Sequence, residues 1–329
     1  MVKLKKIKLI NMTFVMSLII ILIVGCVQEV KDDAIAAEEK SNGLLKGVSV
    51  SPKSFEQDDF LDFLEKIKQT QDILLWAGDW IEVYEEKAPK TFSELASKYD
   101  YISIIEAGHY IQESGELIRP LNEENKQIYL NSTIEFVKEY KPKYFGMGVE
   151  VNVFAEKNPG AFAEFVPFYN EVYDAIKEVS PDTKVFTVFQ LEKMKGLKMW
   201  EIEENKPHWE MIDRFKTDIA AFTTYPGIFY KDVADIPEDH YTEISSHTSK
   251  PIAFTEIGWH SAVSPTGWES SEEEQAEFIK TFFDLTKDLN VEIAVWSFMY
   301  DQDVIEPFNT MGLISSKGKE RLAWEEWIK

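Results

Sequence analysis

The spacing of apolar residues along this chain switches repeatedly between two periods. Short alternating or wholly apolar runs give way to segments whose apolar positions fall three or four apart, the pattern of strand followed by helix. It predicts strands at 47–52, 73–80, 101–110, 144–152, 184–191, 218–226, 251–259 and 291–301. Predicted helices fall at 57–70, 91–98, 123–140, 161–179, 206–215, 239–247 and 272–288, with a closing helix at 318–328. Phe278, Phe282, Leu285 and Leu289 share one face of the last long helix, which opens with the capping-box pair Ser271 and Glu274. Eight strand–helix pairs over residues 46–329 match an α/β (β/α)8 TIM barrel in a single domain. Ile219-Ala220-Ala221-Phe222 is continuously apolar, as expected of a parallel strand covered on both faces. A doubly wound open sheet would place a glycine-rich turn after its first strand, whereas here that strand ends in Ser51-Pro52.

The pattern begins differently. Lys3, Lys5, Lys6 and Lys8 precede an almost wholly apolar run from Leu9 to Val24, the layout of a secretory signal. Its ending, Ile23-Val24-Gly25-Cys26, resembles a bacterial or archaeal lipobox. That resemblance implies a signal peptide at 1–26 and lipidation of Cys26. An uncleaved signal anchor is the other reading, because the run approaches a membrane span in length. Both readings expect the body on the extracellular face of the membrane. Residues 27–45 are polar and are expected to form a flexible tether.

Composition narrows the function. The 329 residues carry 58 acidic against 35 basic side chains, a net charge of −23. Such a surface repels phosphate backbones and excludes nucleic acid as a partner class. It suits a neutral ligand such as carbohydrate. One cysteine and five histidines without ligand spacing give no reason to expect a metal or other cofactor, and no nucleophile-elbow serine motif is present. Nothing in the pattern calls for more than a monomer.

A barrel presents its chemistry at the C-terminal ends of its strands. The candidates there are Asp79 and Trp80, then Glu106 and His109, Glu150 and Asn152, Gln190, Tyr225, Glu256 with Trp259, and Trp296. Glu150 and Glu256 each fall late in an apolar strand, where a carboxylate needs a partner or a raised pKa. As a pair they could flank a glycosidic bond, one protonating the leaving oxygen and the other attacking the anomeric carbon. Tryptophans around them suit the apolar faces of sugar rings.

Thr255-Glu256-Ile257-Gly258-Trp259, Thr224-Tyr225-Pro226, Trp296 and the tail Met311-Gly312-Leu313-Ile314 together resemble glycoside hydrolase clan A, the retaining (β/α)8 glycosidases. The strand-seven motif is nearest to those of endo-β-galactanases and endo-β-mannanases. The resemblance implies Glu150 as acid/base, Glu256 as nucleophile, Tyr225 touching the nucleophile, and Asp79, Trp80, His109, Asn152, Gln190, Trp259 and Trp296 as sugar contacts. Two departures stand out. Val149 precedes Glu150 where the clan has asparagine, and Asn152, on the same strand face as Glu150, is the expected substitute. No arginine lies late in strand two, the chain having only Arg119, Arg214 and Arg321. The expected function is hydrolysis of a β-linked neutral poly- or oligosaccharide with retention. The alternative is a catalytically weak, surface-anchored carbohydrate-binding protein on the same barrel.

Overall fold

The structure, a computed structural model, describes residues 43–70, 72–83, 88–199 and 206–329. Cys26, the signal segment and most of the tether lie outside the described residues. Nine parallel strands carry the fold: β1 (Leu45–Ser49), β2 (Ile73–Asp79), β3 (Ile102–Gly108), β4 (Tyr144–Met147), β5 (Lys184–Phe186), β6 (Val188–Gln190), β7 (Ala220–Thr224), β8 (Ile252–Ile257) and β9 (Val291–Trp296). Their order is β5-β4-β3-β2-β1-β9-β8-β7-β6, so the two ends of the sheet are consecutive in the chain. β5 and β6 are one barrel strand interrupted at Thr187. Its first half pairs with β4 and its second with β7. The Thr187 hydroxyl and the Val188 amide both donate to the Gly148 carbonyl, at 3.1 and 3.0 Å. The barrel thus closes as an α/β TIM-barrel domain. β1 starts at Leu45, the last residue assigned to the tether from sequence.

Side chains alternate between two cores, as the strand period demands. Ile73, Leu75, Ile104, Phe186, Val188, Ala221, Ala253, Ile293 and Val295 fill the barrel interior. Their neighbours Leu74, Trp76, Ile105, Phe145, Phe222, Phe254 and Trp296 pack outward against the helices. The helical shell comprises α1 (Gln57–Ile67), α2 (Pro89–Lys98), α3 (Glu123–Tyr140), α4 (Val151–Lys157), α5 (Pro159–Val179), α6 (Leu191–Met194), α7 (Glu272–Thr286) and α8 (Leu322–Trp327). Ser271 caps α7 by accepting from the Glu274 amide at 3.1 Å. The reciprocal half of the expected capping box is absent, because the Glu274 carboxylate accepts from the Val233 amide instead.

The structure corrects three sequence expectations. The helices expected at 206–215 and 239–247 are short 3-10 turns, Trp209–Arg214 and Thr242–Ser246. Their backbone amides bond three residues back, Met211 to the His208 carbonyl and Ile244 to the Tyr241 carbonyl, as in a single tight turn. The strand expected at 144–152 stops at Met147. Gly148 takes a left-handed φ of 86°, where an added Cβ would lie 2.7 Å from Val151 and 2.8 Å from Phe165. From Val151 the chain is helical. The valines at 149, 151 and 153 gave a strand period that tertiary packing overrides.

Candidate active site

Glu256 reaches the barrel mouth through a β-bulge. Phe254 pairs with Ala294 and Ile257 with Trp296, so two residues of β8 oppose the single Val295 of β9. Phe254 and Ile257 both lie in the outer core. Regular alternation from Phe254 would have sent Glu256 outward as well. The extra residue turns it inward, opposite Thr223 of β7. There Tyr225 donates its hydroxyl to Glu256 Oε2, and Ser297 Oγ lies 2.9 Å from the same phenol oxygen. Burial raises the Glu256 pKa, and the Tyr225 hydrogen bond pulls it back.

Glu150 is placed differently. It is the N-cap residue of α4 with φ 51° and ψ 46°, a left-handed conformation that costs a non-glycine residue about 1–3 kcal/mol. Its carboxylate accepts from Thr223 Oγ1 at 2.6 Å and from Gln112 Nε2 at 2.9 Å. Its carbonyl accepts from the Tyr110 hydroxyl at 2.8 Å. Burial, and next the charge of Glu256, push Glu150 up to about 7, while the Thr223 hydrogen bond opposes the shift. The two carboxylates therefore share one mouth and feel each other's charge.

A third carboxylate lies beside them. Glu106 of β3 faces the interior, pairs in register with Ala77 and Gly146, and is completely buried. Neither carboxyl oxygen has a hydrogen-bond partner. Burial, then the charge of Glu256, push its pKa well above the ordinary range, and only a weaker interaction with Thr255 opposes this. Glu106 accordingly favours its neutral form. Its Cγ occupies the space beside Gly146, where an added Cβ would lie 3.0 Å away.

Several expected sugar contacts are committed elsewhere. Asn152 does not share a strand face with Glu150, being inside α4. Its amide is spent on the Gln190 backbone, accepting from the nitrogen and donating to the carbonyl, each at 2.9 Å. Gln190 in turn donates to Glu192 and accepts from the Lys193 amide, both at 2.6 Å. His109 is buried, with its ring 5.0 Å from both Trp80 and Phe165 and its Nδ1 3.0 Å from the Ala107 carbonyl. Burial lowers its pKa to about 3, so it is a neutral core histidine. Trp80 belongs to the same outer core. Trp259 stacks on Phe278 at 5.1 Å and donates to Ser270. Trp296 packs against Phe278 and Trp327 and donates to the Met311 carbonyl at 2.8 Å. All three tryptophans are core side chains. Asp79 remains partly exposed at the end of β2 and holds Arg119 at 3.1 Å. The β3–α3 loop thus supplies an arginine to the strand-two end that the strand itself lacks.

Gln112 and Ser297 went unrecognised in the sequence, whereas Glu192 was visible beside Gln190 as a further polar residue at the end of strand five. Gln112 and Ser297 lie just past strand ends without any periodic signal. Glu106 was visible as a strand-end acid, and its parity with Ile104 pointed it inward. Among the described residues no group of three or more His, Cys, Asp or Glu side chains is arranged to hold a metal ion.

No family model and no curated protein matches the sequence. Solved structures do. A family 39 glycoside hydrolase from the gut symbiont Bacteroides cellulosilyticus WH2 has a TM-score of 0.61 at 17% identity, over 86% of this chain and 62% of that one. An exo-β-1,4-mannosidase from Opitutaceae bacterium strain TAV5 has a TM-score of 0.61 at 11% identity, over 87% and 58%. A β-1,3-glucanosyltransferase from Rhizomucor miehei, in complex with laminaritriose, has a TM-score of 0.59 at 11% identity, over 84% and 95%. The chain spans about three fifths of the length of the first two. At these identities the likeness establishes the barrel fold, in structures whose bearers act on glycosides.

Proposed function

We propose that the protein is a retaining O-glycosyl hydrolase acting on a β-linked neutral poly- or oligosaccharide. The observation that carries this reading is the pair of hydroxyls from one strand end, Thr223 and Tyr225, each donated to a different, partly buried carboxylate. The environments of those carboxylates differ as the two roles require. Glu150, pushed up to about 7, holds a proton at neutral pH and delivers it to the glycosidic oxygen as that bond breaks. Glu256, stabilised as an anion by Tyr225, attacks the anomeric carbon and forms a glycosyl ester. With the charge of Glu256 gone, Glu150 loses one cause of its raised pKa and takes a proton from water. That water displaces Glu256 and releases the sugar with its original configuration. A panel of aryl β-glycosides tests this reading and names the sugar. Hydrolysis of at least one member, lost in Glu256→Ala, is the expected result, and silence across the panel favours the carbohydrate-binding alternative.

The signal pattern supports attachment to the outer membrane face through lipid on Cys26. No helix among the described residues is long and apolar enough to cross a membrane. Cys26→Ser should leave the barrel folded and shift the protein out of the membrane fraction.

A further inference from the structure

Beside the candidate site lies a second fully buried glutamate, hydrogen-bonded to neither Glu150 nor Glu256. Glu192 is the second residue of α6, directly after the barrel strand that closes at Gln190. It accepts from four donors. Thr224 Oγ1 lies 2.6 Å and His240 Nε2 3.2 Å from one oxygen, and Gln190 Nε2 lies 2.6 Å and the Tyr225 amide 3.3 Å from the other. Two of these donors belong to the strand end that serves the catalytic pair. Along that end the alternation is strict in its result: Thr223 holds Glu150, Thr224 holds Glu192, and Tyr225 holds Glu256.

Resting on the glycosidase reading above, we propose that Glu192 is a positioning residue, which clamps Thr224 and the Tyr225 backbone from behind so that the Tyr225 hydroxyl stays on Glu256. The clamp is itself rigid. His240 donates from Nε2 to Glu192, and its Nδ1 lies 3.4 Å from the Tyr230 hydroxyl, which fits a neutral ring. Burial lowers the His240 pKa accordingly. Burial alone would raise Glu192, yet the hydrogen bonds from His240 and Thr224 bring it below the ordinary value and keep it ionised. Lys195 donates to the His240 carbonyl at 2.6 Å and pairs with Glu243 at 2.7 Å, fixing that loop to α6. Tyr241 completes the shell, 3.2 Å from Thr224 Oγ1. On the other side, Glu256 accepts from Tyr225, whose hydroxyl also meets Ser297, and its charge acts on Glu106 and Glu150.

Glu192→Gln keeps the shape but turns one acceptor oxygen into a donor, which repels two of the four donors. If the clamp acts through Tyr225, kcat should fall about tenfold, within the range for a mispositioned catalytic group, with KM little changed. The acid limb of the rate profile should move to higher pH, because Glu256 loses its donor. Tyr225→Phe should produce the same movement, and the double variant should move it no further. Titration of the glutamate carboxyls by carbon-13 NMR, with Glu256 assigned by its loss in Glu256→Gln, reads the same shift without turnover. A wild type silent on every glycoside would defeat the hydrolase reading, whereas the NMR titration would still decide the clamp. Should Glu192→Gln not fold, Thr224→Val removes one anchor and is judged by the same shift. A folded variant with an unmoved Glu256 titration, or with effects that add to those of Tyr225→Phe, overturns the proposal.

Discussion

Thr223 and Tyr225 point the same way from the end of β7 and divide the two glutamates between them, Thr223 taking Glu150 and Tyr225 taking Glu256. A strand delivers side chains of one face about 7 Å apart, so a single rigid element sets the spacing of both donors. The Glu150 carboxylate also receives Gln112, but burial, and next the charge of Glu256, raise it, while the Tyr225 hydrogen bond works against the rise at Glu256.

The roles can be separated by azide. Glu256→Ala should reduce turnover below detection on every substrate, and azide should restore it with an inverted α-glycosyl azide as product. Glu150→Ala should slow substrates with poor leaving groups by about 10²–10⁴-fold and spare those with good ones. Azide should then give the retained β-product. Exchanged product configurations would reverse the assignment.

The pH dependence of kcat/KM should be bell-shaped. Glu150 must be protonated, so activity should be lost as pH rises through about 7. Glu256 must be ionised, so activity should be lost as pH falls through its pKa, which burial holds above the ordinary carboxylate value. Glu150→Gln should remove the alkaline limb, and a limb that survives that change belongs to another group.

Glu106 should make the protein less stable as pH rises. Its folded pKa is raised, so above the ordinary glutamate value of 4.5 the unfolded chain releases a proton that the native barrel retains. Unfolding then becomes easier by about 1.4 kcal/mol per pH unit for that one proton. Glu106→Gln abolishes the term, and its stability advantage over wild type should be larger at pH 8 than at pH 5 in denaturant melts. An equal difference at the two pH values would mean that Glu106 is ionised in the fold.

Trp296→Ala should cost about 3–5 kcal/mol of stability, as expected for a large side chain removed from a packed core. At a temperature where the variant remains folded, KM for an aryl glycoside should be unchanged. A selective rise in KM would return Trp296 to the sugar site.

The barrel was legible in the sequence because its parallel strands are apolar on both faces and its helices are not. Ile219–Phe222 and the stripe from Phe278 to Phe282 declare their partners without knowledge of the fold. The mouth was less legible. Glu256 faces inward only because β8 carries one residue more than β9 can pair, and a bulge leaves no mark in a hydrophobic pattern. Glu150 sits beyond a strand that Gly148 ends early, so the face-sharing argument for Asn152 had no strand to act on. Trp296 shows the opposite case. Its parity with Ala294, against Ile293 and Val295, pointed it at the helices, while its place at a strand end and the clan resemblance drew it toward the mouth. Glu192 was visible at the end of strand five, but its role was hidden because its partners, Thr224 and His240, are 32 and 48 residues away.

Lys46, in the first strand, donates to the carbonyl of Trp327 at 2.9 Å. Because all strands run parallel, this contact ties the entry of the chain to its last helix on the face remote from Glu150 and Glu256. The molecule therefore has a polarity that bears on handling: coupling to a bead, a vesicle or a second enzyme through residues before Leu45 presents the open mouth outward, while coupling through the loops after the strands would cover it.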